Sequence, residues 1–496
     1  WLVVALNQAE EHCEAISVGR ECLEQQQRVL GREDQRTLAT LNHLALALSL
    51  SGEYREAVPL FREFLECAQR VEGREHPDTL DSMHHFATAL NQAGEHGEAV
   101  SIGRECLEMR QRVLGREDPR TLTTMICLAT ALCNGGEYHE ALPTFRECLE
   151  EQQRVLGKED PETLATMGWL LAALNRAGKF REAISVGREC VEQQQRVLGK
   201  ENPETLTTLY NLALALKHEG EYREALPLFR ECLETEQRVL GREDSSTLAT
   251  MCSLALTLKQ TGEHDEAMSL FRECLEGQQR VLGREDSSTL ATLYHLALTL
   301  TQTGKHDEAM PLFRECLEAE QRVLGREHPD TLITMHDLAT ALNQTGEHGE
   351  AVSIYRECLE IRQRVLGTEK ADTLCTMCCL ALALTSCPAG AEESLAIIQS
   401  CRHEIVSSAR PYPAYLLAFS RAVLSLSLAI NHCVEEALVE SCAAVDLSSK
   451  LKHLKLEYHP FSLAVRCEVL FQAGAEHLGA AQSVGNEAVL WMTEKQ

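Results

Sequence analysis

Three cysteines form the one cluster of this sequence whose spacing suggests metal binding or redox chemistry. They stand in the pattern Cys375-x-x-Cys378-Cys379, and zinc sites and thiol–disulfide exchange both use two cysteines at this spacing. A closed zinc site needs four ligands, but no second C-x-x-C and no histidine pair follows at the corresponding distance. We therefore interpret these cysteines as packing residues and predict neither a metal ion nor a cofactor.

Motifs of catalysis and nucleotide binding are absent from the sequence. It contains no GxxxxGKS/T, no GxGxxG after a strand, no HExxH and no GxSxG. The pair His403-Glu404 lacks the second histidine that an HExxH zinc motif requires. The sequence therefore predicts a protein that is not an enzyme.

The remaining cysteines follow a regular spacing. The chain has 21 cysteines, and eight of them fall in one register with a period of 42 residues, namely Cys22, Cys106, Cys148, Cys190, Cys232, Cys274, Cys316 and Cys358. Neighbouring helices pack about 10 Å apart, so successive members of this row are too distant for a disulfide bond. We predict that they pack as small apolar residues in a reducing compartment, which indicates a cytoplasmic protein.

A 42-residue repeat organises the whole pattern. A Thr-Leu pair marks its register at Thr37, Thr79, Thr121, Thr163, Thr205, Thr247, Thr289, Thr331 and Thr373. A glycine marks the same register at Gly31, Gly73, Gly115, Gly157, Gly199, Gly241, Gly283, Gly325 and Gly367. Self-similarity of this period is typical of a solenoid, in which each repeat packs on its neighbours.

Each repeat has the pattern of two amphipathic helices. In residues 37–52, Leu41, Leu44 and Leu48 follow the spacing of one helical face, and residues 53–73 show the same periodicity. Asp-Pro or Asn-Pro begins the first helix of several copies, and glycines end both helices. Four prolines fall inside the second helix, where they are expected to remove a hydrogen bond or bend it: Pro59, Pro143, Pro227 and Pro311.

Composition excludes two classes of partner. The formal net charge of the 496-residue chain is −28, so it should repel nucleic acid and anionic membranes. No run of about 18 apolar residues is present, and the sequence therefore predicts no membrane-spanning helix.

At this point the sequence resembles a known family. The pattern is clear in Leu212-Ala213, Leu216, Gly220, Tyr222, Ala225, Phe229 and Cys232-Leu233. It resembles the tetratricopeptide repeat, and the 42-residue period is similar to the repeats of kinesin light chains and nephrocystin-type proteins, over about the first four-fifths of the chain. The resemblance implies an all-α fold, a right-handed superhelical solenoid of helix-turn-helix repeats.

The copies differ at a few positions of the first helix, and these positions share one helical face. In tetratricopeptide proteins the first helices line a concave groove, so the resemblance implies that this face binds peptides. Asn and Gln can bond to a peptide backbone, and Trp169 and the tyrosines offer flat apolar area. The predicted groove residues are Asn42, His84, Asn91, Gln92, Asn175, Arg176, Tyr210, Lys217, His218, Lys259, Gln260, Tyr294, Gln302, His336, Asn343 and Gln344. The alternative is a solvent-facing surface that varies without selection.

Charge at the predicted groove is locally reversed. Arg176, Lys217, His218 and Lys259 form a basic patch over three successive repeats of an acidic chain. A peptide with one or two carboxylates could bind there. Basic or neutral partners elsewhere on the chain are equally open.

The repeat pattern sets the expected domain boundaries. Residues 1–33 are a partial first repeat, 34–369 are eight tandem 42-residue repeats, and 370–408 are a degenerate repeat. Residues 409–496 are divergent helical repeats that cap the array, or a separate helical domain. Because Trp1 falls inside the pattern of a first helix, we expect that part of a repeat precedes it.

Two functions fit this sequence. The first is a non-catalytic protein-interaction scaffold that binds peptide segments in the concave groove. The alternative is a regulatory or sensor arm of a larger signalling protein, whose catalytic domain lies outside this sequence. The partner and the oligomeric state are not predicted.

Overall fold

The computed structural model describes residues 6–7, 11–71, 73–387, 389–407, 412–431 and 433–450. Within these ranges it contains 21 α-helices longer than two residues and no β-strand. The helices are α1 (His12–Val29), α2 (Gln35–Leu50), α3 (Tyr54–Val71), α4 (Pro77–Ala93), α5 (His96–Val113), α6 (Pro119–Asn134), α7 (Tyr138–Val155), α8 (Pro161–Arg176), α9 (Phe180–Val197), α10 (Pro203–Glu219), α11 (Tyr222–Val239), α12 (Ser245–Thr261), α13 (His264–Val281), α14 (Ser287–Gln302), α15 (His306–Val323), α16 (Pro329–Gln344), α17 (His348–Val365), α18 (Ala371–Thr385), α19 (Ala391–Ser407), α20 (Ala414–Ile430) and α21 (Val434–Lys450).

The chain forms two compact units, Trp1–Thr261 and Gly262–Gln496. Even-numbered helices are the first helices of the repeats and are called A helices, and odd-numbered helices are the second, or B, helices. Within each unit a helix packs against the next one along the chain, and each A helix also contacts the A helix of the following repeat. The predicted all-α array of helix-turn-helix repeats is confirmed.

Turn glycines recur at half the repeat length. Seventeen glycines have a φ between +70° and +99°, and they follow one another every 21 residues from Gly31 to Gly367. A side chain is strained in this left-handed region, whereas glycine adopts it freely. The chain therefore reverses direction after each of the helices α1 to α17 at a residue suited to the turn.

Side-chain caps begin most A helices. The carboxylate of Asp118 accepts from the backbone N–H of Arg120 at 2.9 Å, and the amide oxygen of Asn202 accepts from Glu204 at 2.8 Å. In two repeats a histidine takes this place, as His328 Nδ1 does for the N–H of Asp330 at 3.3 Å. These contacts satisfy backbone donors that the first turn of a helix leaves unpaired.

The prolines inside the B helices do not shorten them. The helix with Pro59 and the helix with Pro143 both have 18 residues, the same length as α5, which has serine at that place. Each proline removes one backbone donor without ending the helix.

The core lies between the A and B helices. A fully buried aromatic side chain occupies one place of most B helices, at Phe61, Phe145, Phe229, Phe271, Phe313 and Tyr355. The repeated cysteines lie beside it, and Cys190 donates its S–H to the carbonyl of Leu164 at 3.6 Å. Cys401 makes the same contact with Leu374 at 3.6 Å, although its helix lacks the repeat pattern. None of the 20 described cysteines forms a disulfide bond.

Ion pairs connect consecutive B helices on their exposed side. Arg62 pairs with Glu98 at 2.9 Å, and Arg314 pairs with Glu350 at 3.0 Å. In both pairs the residues are 36 positions apart. Because all four side chains are exposed to water, each pair contributes roughly 0–1 kcal/mol.

Beyond residue 408 the described chain adds one helix pair, α20 and α21. Helix α20 packs against both α18 and α19, and Ser427 Oγ lies 2.8 Å from Ser394 Oγ. Residues 451–496 of the predicted divergent repeats lie outside the described residues, so the domain boundaries stay a prediction. None of the described helices has the length and hydrophobicity needed to cross a membrane.

Candidate functional site

Four A helices of the first unit line a cavity of about 530 Å³. Each of the four helices contributes a residue from its last turn, at a position that differs between the repeats: Gln92 on α4, Asn134 on α6, Arg176 on α8 and His218 on α10. The floor includes Phe145 of α7, a core residue. The variable positions of successive repeats therefore meet in one concave site.

Trp169 on α8 stands between this cavity and a second one of about 300 Å³. Its side chain is 52% exposed, although the indole ring is among the most hydrophobic groups of the chain. The second cavity also contacts Gln194, Pro203 and Asn211. An exposed tryptophan beside two cavities can supply a large apolar contact and an N–H donor to a bound chain.

A row of hydrogen bonds fixes the polar wall of the larger cavity. Arg176 Nη1 donates to Asn134 Oδ1 at 2.6 Å, and Asn134 Nδ2 donates to Asn91 Oδ1 at 3.1 Å. His96 Nδ1 lies 3.0 Å from the same Asn91 oxygen. Asn175 Nδ2 donates to the backbone carbonyl of Asn211 at 2.8 Å. These bonds order Arg176 before any ligand arrives.

Burial weakens part of the predicted basic patch. It lowers the pKa of the Lys217 ammonium. It also lowers the pKa of His218, with a further contribution from Lys217, and the His218 ring stacks on Phe180 at 4.9 Å. The guanidinium of Arg176 is exposed, and its planar N–H donors match the geometry of a carboxylate. Arg176 is therefore the cation of this wall that most readily binds a carboxylate.

The predicted groove tyrosines connect neighbouring repeats. Tyr210 Oη lies 3.1 Å from Ser253 Oγ, and Tyr294 Oη donates to Asp337 Oδ2 at 2.5 Å. Both rings pack edge-on against a core phenylalanine, Tyr294 against Phe313 at 6.1 Å. Burial and the Asp337 carboxylate raise the pKa of Tyr294. The hydroxyl groups of both tyrosines therefore already have partners within the array.

Comparison with known proteins identifies the repeat. The profile of the tetratricopeptide repeat matches residues 1–69, 52–112, 120–196, 169–235, 204–280 and 288–364. The chain belongs to the tetratricopeptide repeat family. No significant match was found among curated proteins.

Solved structures include similar tetratricopeptide arrays. The nearly identical TPR-like repeats of a kinesin light chain from Podosopora anserina are 27% identical, with 41% of this chain and 96% of that one covered and a TM-score of 0.39. The apo form of the quorum sensor NprR from B. thuringiensis is 15% identical, with 74% and 97% covered and a TM-score of 0.50. The NprR likeness extends over most of the chain and concerns the fold alone. Tetratricopeptide arrays are protein-interaction scaffolds, and they are typically non-catalytic.

The structure places the predicted groove residues of this tetratricopeptide array at three depths. Six are exposed: Gln92, Arg176, His218, Gln260, Gln302 and Gln344. Nine are half-buried: Asn42, His84, Asn175, Tyr210, Lys217, Lys259, Tyr294, His336 and Asn343. Asn91 is buried. Burial, with smaller contributions from His85 and Arg110, lowers the pKa of His84 to about 3, so its imidazole is neutral.

Within the first unit, the cavity beside Trp169 collects Gln92, Asn175, Arg176 and His218. In the second unit, Tyr294 lines a separate cavity of about 510 Å³. Sequence comparison among the repeats did not single out Asn211, because the contribution of this residue comes from its backbone carbonyl as well as its side chain.

Proposed function

We propose that this tetratricopeptide array is a non-catalytic scaffold that binds an extended peptide segment along the A helices of its first unit. The observation that carries the proposal is the position of Trp169. Its half-exposed side chain lies between two cavities, and residues of four A helices line the larger one. Side chains of this size are seldom left exposed in a concave apolar site unless a partner covers them.

The chemistry of the walls defines the peptide. An apolar or aromatic side chain fits the cavity that Trp169 and Phe145 line. A carboxylate placed next to it can accept from the guanidinium donors of Arg176 that face away from Asn134. The net charge of −28 repels strongly acidic segments at long range, so one or two carboxylates suit the site better than a longer acidic run.

The free cysteines support a proposal for the compartment. The eight cysteines that recur with the 42-residue period have free thiols, and none of the described cysteines forms a disulfide bond. A scaffold with so many buried thiols suits a reducing environment, and we place it in the cytoplasm.

Selection from a random peptide library displayed on phage tests this function, with the purified full chain as bait. We expect enriched peptides that combine an aromatic residue with a neighbouring Asp or Glu. Fluorescence anisotropy then gives their affinities for the chain and for two variants, Trp169→Ala and Val155→Ala. Val155 is an apolar residue of α7 in the same unit, 43% exposed, and lies outside both cavities.

The Trp169→Ala variant should bind at least about tenfold more weakly, whereas Val155→Ala should bind as the unsubstituted chain does. Circular dichroism melting establishes that both variants keep the fold. Equal affinities for the two variants would remove Trp169 from the site. A library that yields no enriched sequence would argue against peptide recognition itself.

A further inference from the structure

Three metal-ligating side chains converge in the second unit, at a point that the local sequence pattern does not show. His336 lies on α16, and Cys375 and Cys379 lie four residues apart on one face of α18. Their ligand atoms all lie within 4.8 Å of one another, and His336 Nε2 is 3.9 Å from Cys379 Sγ. All three side chains are half-buried. No other such group of histidine, cysteine and carboxylate ligands occurs among the described residues.

The C-x-x-C pair of the sequence is not the pair that the fold brings together. The side chain of Cys378 is buried, and its Sγ lies 3.6 Å from Sγ of Cys401 on α19. Cys378 and Cys379 therefore point to different sides of α18. The partner of Cys375 and Cys379 comes instead from the preceding repeat.

Hydrogen bonds orient the histidine for ligation. Thr376 Oγ1 lies 3.4 Å from His336 Nδ1, and the same hydroxyl donates to the carbonyl of Asp372 at 2.8 Å. Because the hydroxyl proton is used in that bond, Thr376 accepts from Nδ1–H. The lone pair of Nε2 then faces Cys379. Arg362 Nη1 donates to Thr376 at 2.7 Å and holds the hydroxyl in place. A bond from the second ring nitrogen is the usual way in which proteins orient a metal-bound histidine.

The repeat itself does not produce this triad. The place of Cys375 holds Ala39, Asp81, Thr123, Ala165, Thr207, Ala249, Ala291 and Ile333 in the other copies. The place of Cys379 holds His43, His85, Cys127, Trp169, Asn211, Ser253, His295 and Asp337. In no other pair of adjacent repeats do these positions supply a histidine and two cysteines.

We propose that His336, Cys375 and Cys379 bind a zinc ion, with water in the fourth coordination position. Two thiolates and an imidazole form a ligand set that suits zinc. Tetrahedral zinc, with Zn–S of about 2.3 Å and Zn–N of about 2.0–2.1 Å, places a nitrogen and a sulfur ligand about 3.5 Å apart. His336 and Cys379 need to approach by only a few tenths of an ångström. The bound ion ties A helices α16 and α18 together.

Cobalt substitution tests the site in the full chain, after reduction and removal of metals by a chelator. One equivalent of Co²⁺ should give thiolate-to-cobalt charge-transfer absorption in the near ultraviolet and tetrahedral bands in the visible region. One equivalent of Zn²⁺ should then displace it. The variants Cys375→Ser, Cys379→Ser and His336→Gln should bind more than about 100-fold more weakly. Cys387→Ser, which changes a half-buried cysteine of the same unit, should leave binding unchanged.

A second measurement does not depend on the folding of variants. Zinc should protect Cys375 and Cys379 of the unsubstituted chain from alkylation, as mapped by mass spectrometry of peptides, and leave the labelling of Cys13 unaltered. A chain without the charge-transfer band overturns the proposal. So does a band that survives in the Cys375→Ser/Cys379→Ser variant, or zinc that protects neither cysteine.

Discussion

The guanidinium of Arg176 donates a hydrogen bond of 2.6 Å to the side-chain oxygen of Asn134, the residue 42 positions before it. The two residues occupy the same place in consecutive repeats. Asn134 in turn donates to Asn91, one repeat further back. Two adjacent helical positions, copied with the period of the fold, thus form a row of touching side chains along the cavity beside Trp169.

This row predicts a carboxylate-dependent role for Arg176. For a bound peptide that carries one Asp or Glu, Arg176→Gln should weaken binding about 5–30-fold, since a charge-assisted hydrogen bond contributes roughly 1–2 kcal/mol. For the same peptide with Asn or Gln in that place, the variant should change the affinity little. Anisotropy titrations of both peptides with the unsubstituted chain and with Arg176→Gln give the coupling energy between Arg176 and the peptide carboxylate. Equal losses for both peptides would show that Arg176 does not contact the carboxylate.

We predict that ionisation of Glu320 makes the free energy of unfolding depend on pH. It is buried on α15, and burial raises the pKa of its carboxyl group. The folded chain therefore holds this proton more tightly than the unfolded chain, and the ionised carboxylate costs stability as the pH rises through the raised pKa. Glu320→Gln should stabilise the chain at about pH 7.5 by about 1–2 kcal/mol, and this gain should vanish near pH 4.

The repeats themselves supply the precedent for this change, because glutamine occupies the same place at Gln152, Gln194 and Gln278. Urea denaturation at the two pH values measures it. Glu318→Gln on the exposed side of the same helix is the matched control and should change the unfolding free energy by less than about 0.5 kcal/mol. A gain from Glu320→Gln that is independent of pH would contradict the assignment to ionisation.

Two glycines three residues apart predict opposite effects of alanine. Gly94 ends α4 with a φ of +88°, where a Cβ is strained, so Gly94→Ala should destabilise the chain by about 1 kcal/mol. Gly97 lies in the first turn of α5, and an added Cβ meets no atom within 4 Å. Gly97→Ala should stabilise the chain by up to about 1 kcal/mol. If both substitutions shift the melting temperature in the same direction, the left-handed conformation of Gly94 is not what makes alanine unfavourable there.

Thiol reactivity should separate the packed cysteines from the exposed ones. Burial is the main cause that raises the pKa of Cys148 and of Cys190 to about 12, so the reactive thiolate is scarce at neutral pH. Cys13 and Cys442 are exposed. Brief alkylation of the native chain should modify the exposed pair at least about 100-fold faster, as peptide mass spectrometry would show. Alkylation in urea, where all four should react alike, is the control.

The sequence was sufficient to predict the helix pairs, because the turn glycines, the caps and the apolar periodicity all lie within one repeat. The variable positions of the A helices were also visible in the sequence, and four residues at these positions line the cavity beside Trp169, namely Gln92, Asn175, Arg176 and His218. The contacts between repeats were not predictable. Tyr294 meets Asp337, 43 residues later, rather than the residue at its own place in the next copy.

That offset of one residue depends on how adjacent A helices pack, and no single repeat encodes it. The same offset joins His336 to Cys379. The local pattern of α18 therefore does not show that His336 lies beside Cys375 and Cys379, because this histidine belongs to a different helix. The burial of Lys217 was not predictable either, since its depth is set by its neighbours.

The spacing of the turn glycines determines how the array can change in length. A reversal every 21 residues from Gly31 to Gly367, with ion pairs such as Arg62–Glu98 and Arg314–Glu350 at the same offset of 36, means that turns and exposed ion pairs recur in one register along the repeats. Removing or inserting a whole period keeps the turn glycines in register, whereas any other length places a glycine in a helix and a helix former in a turn. The length of the array can therefore change in steps of 42 residues without disturbing its turns.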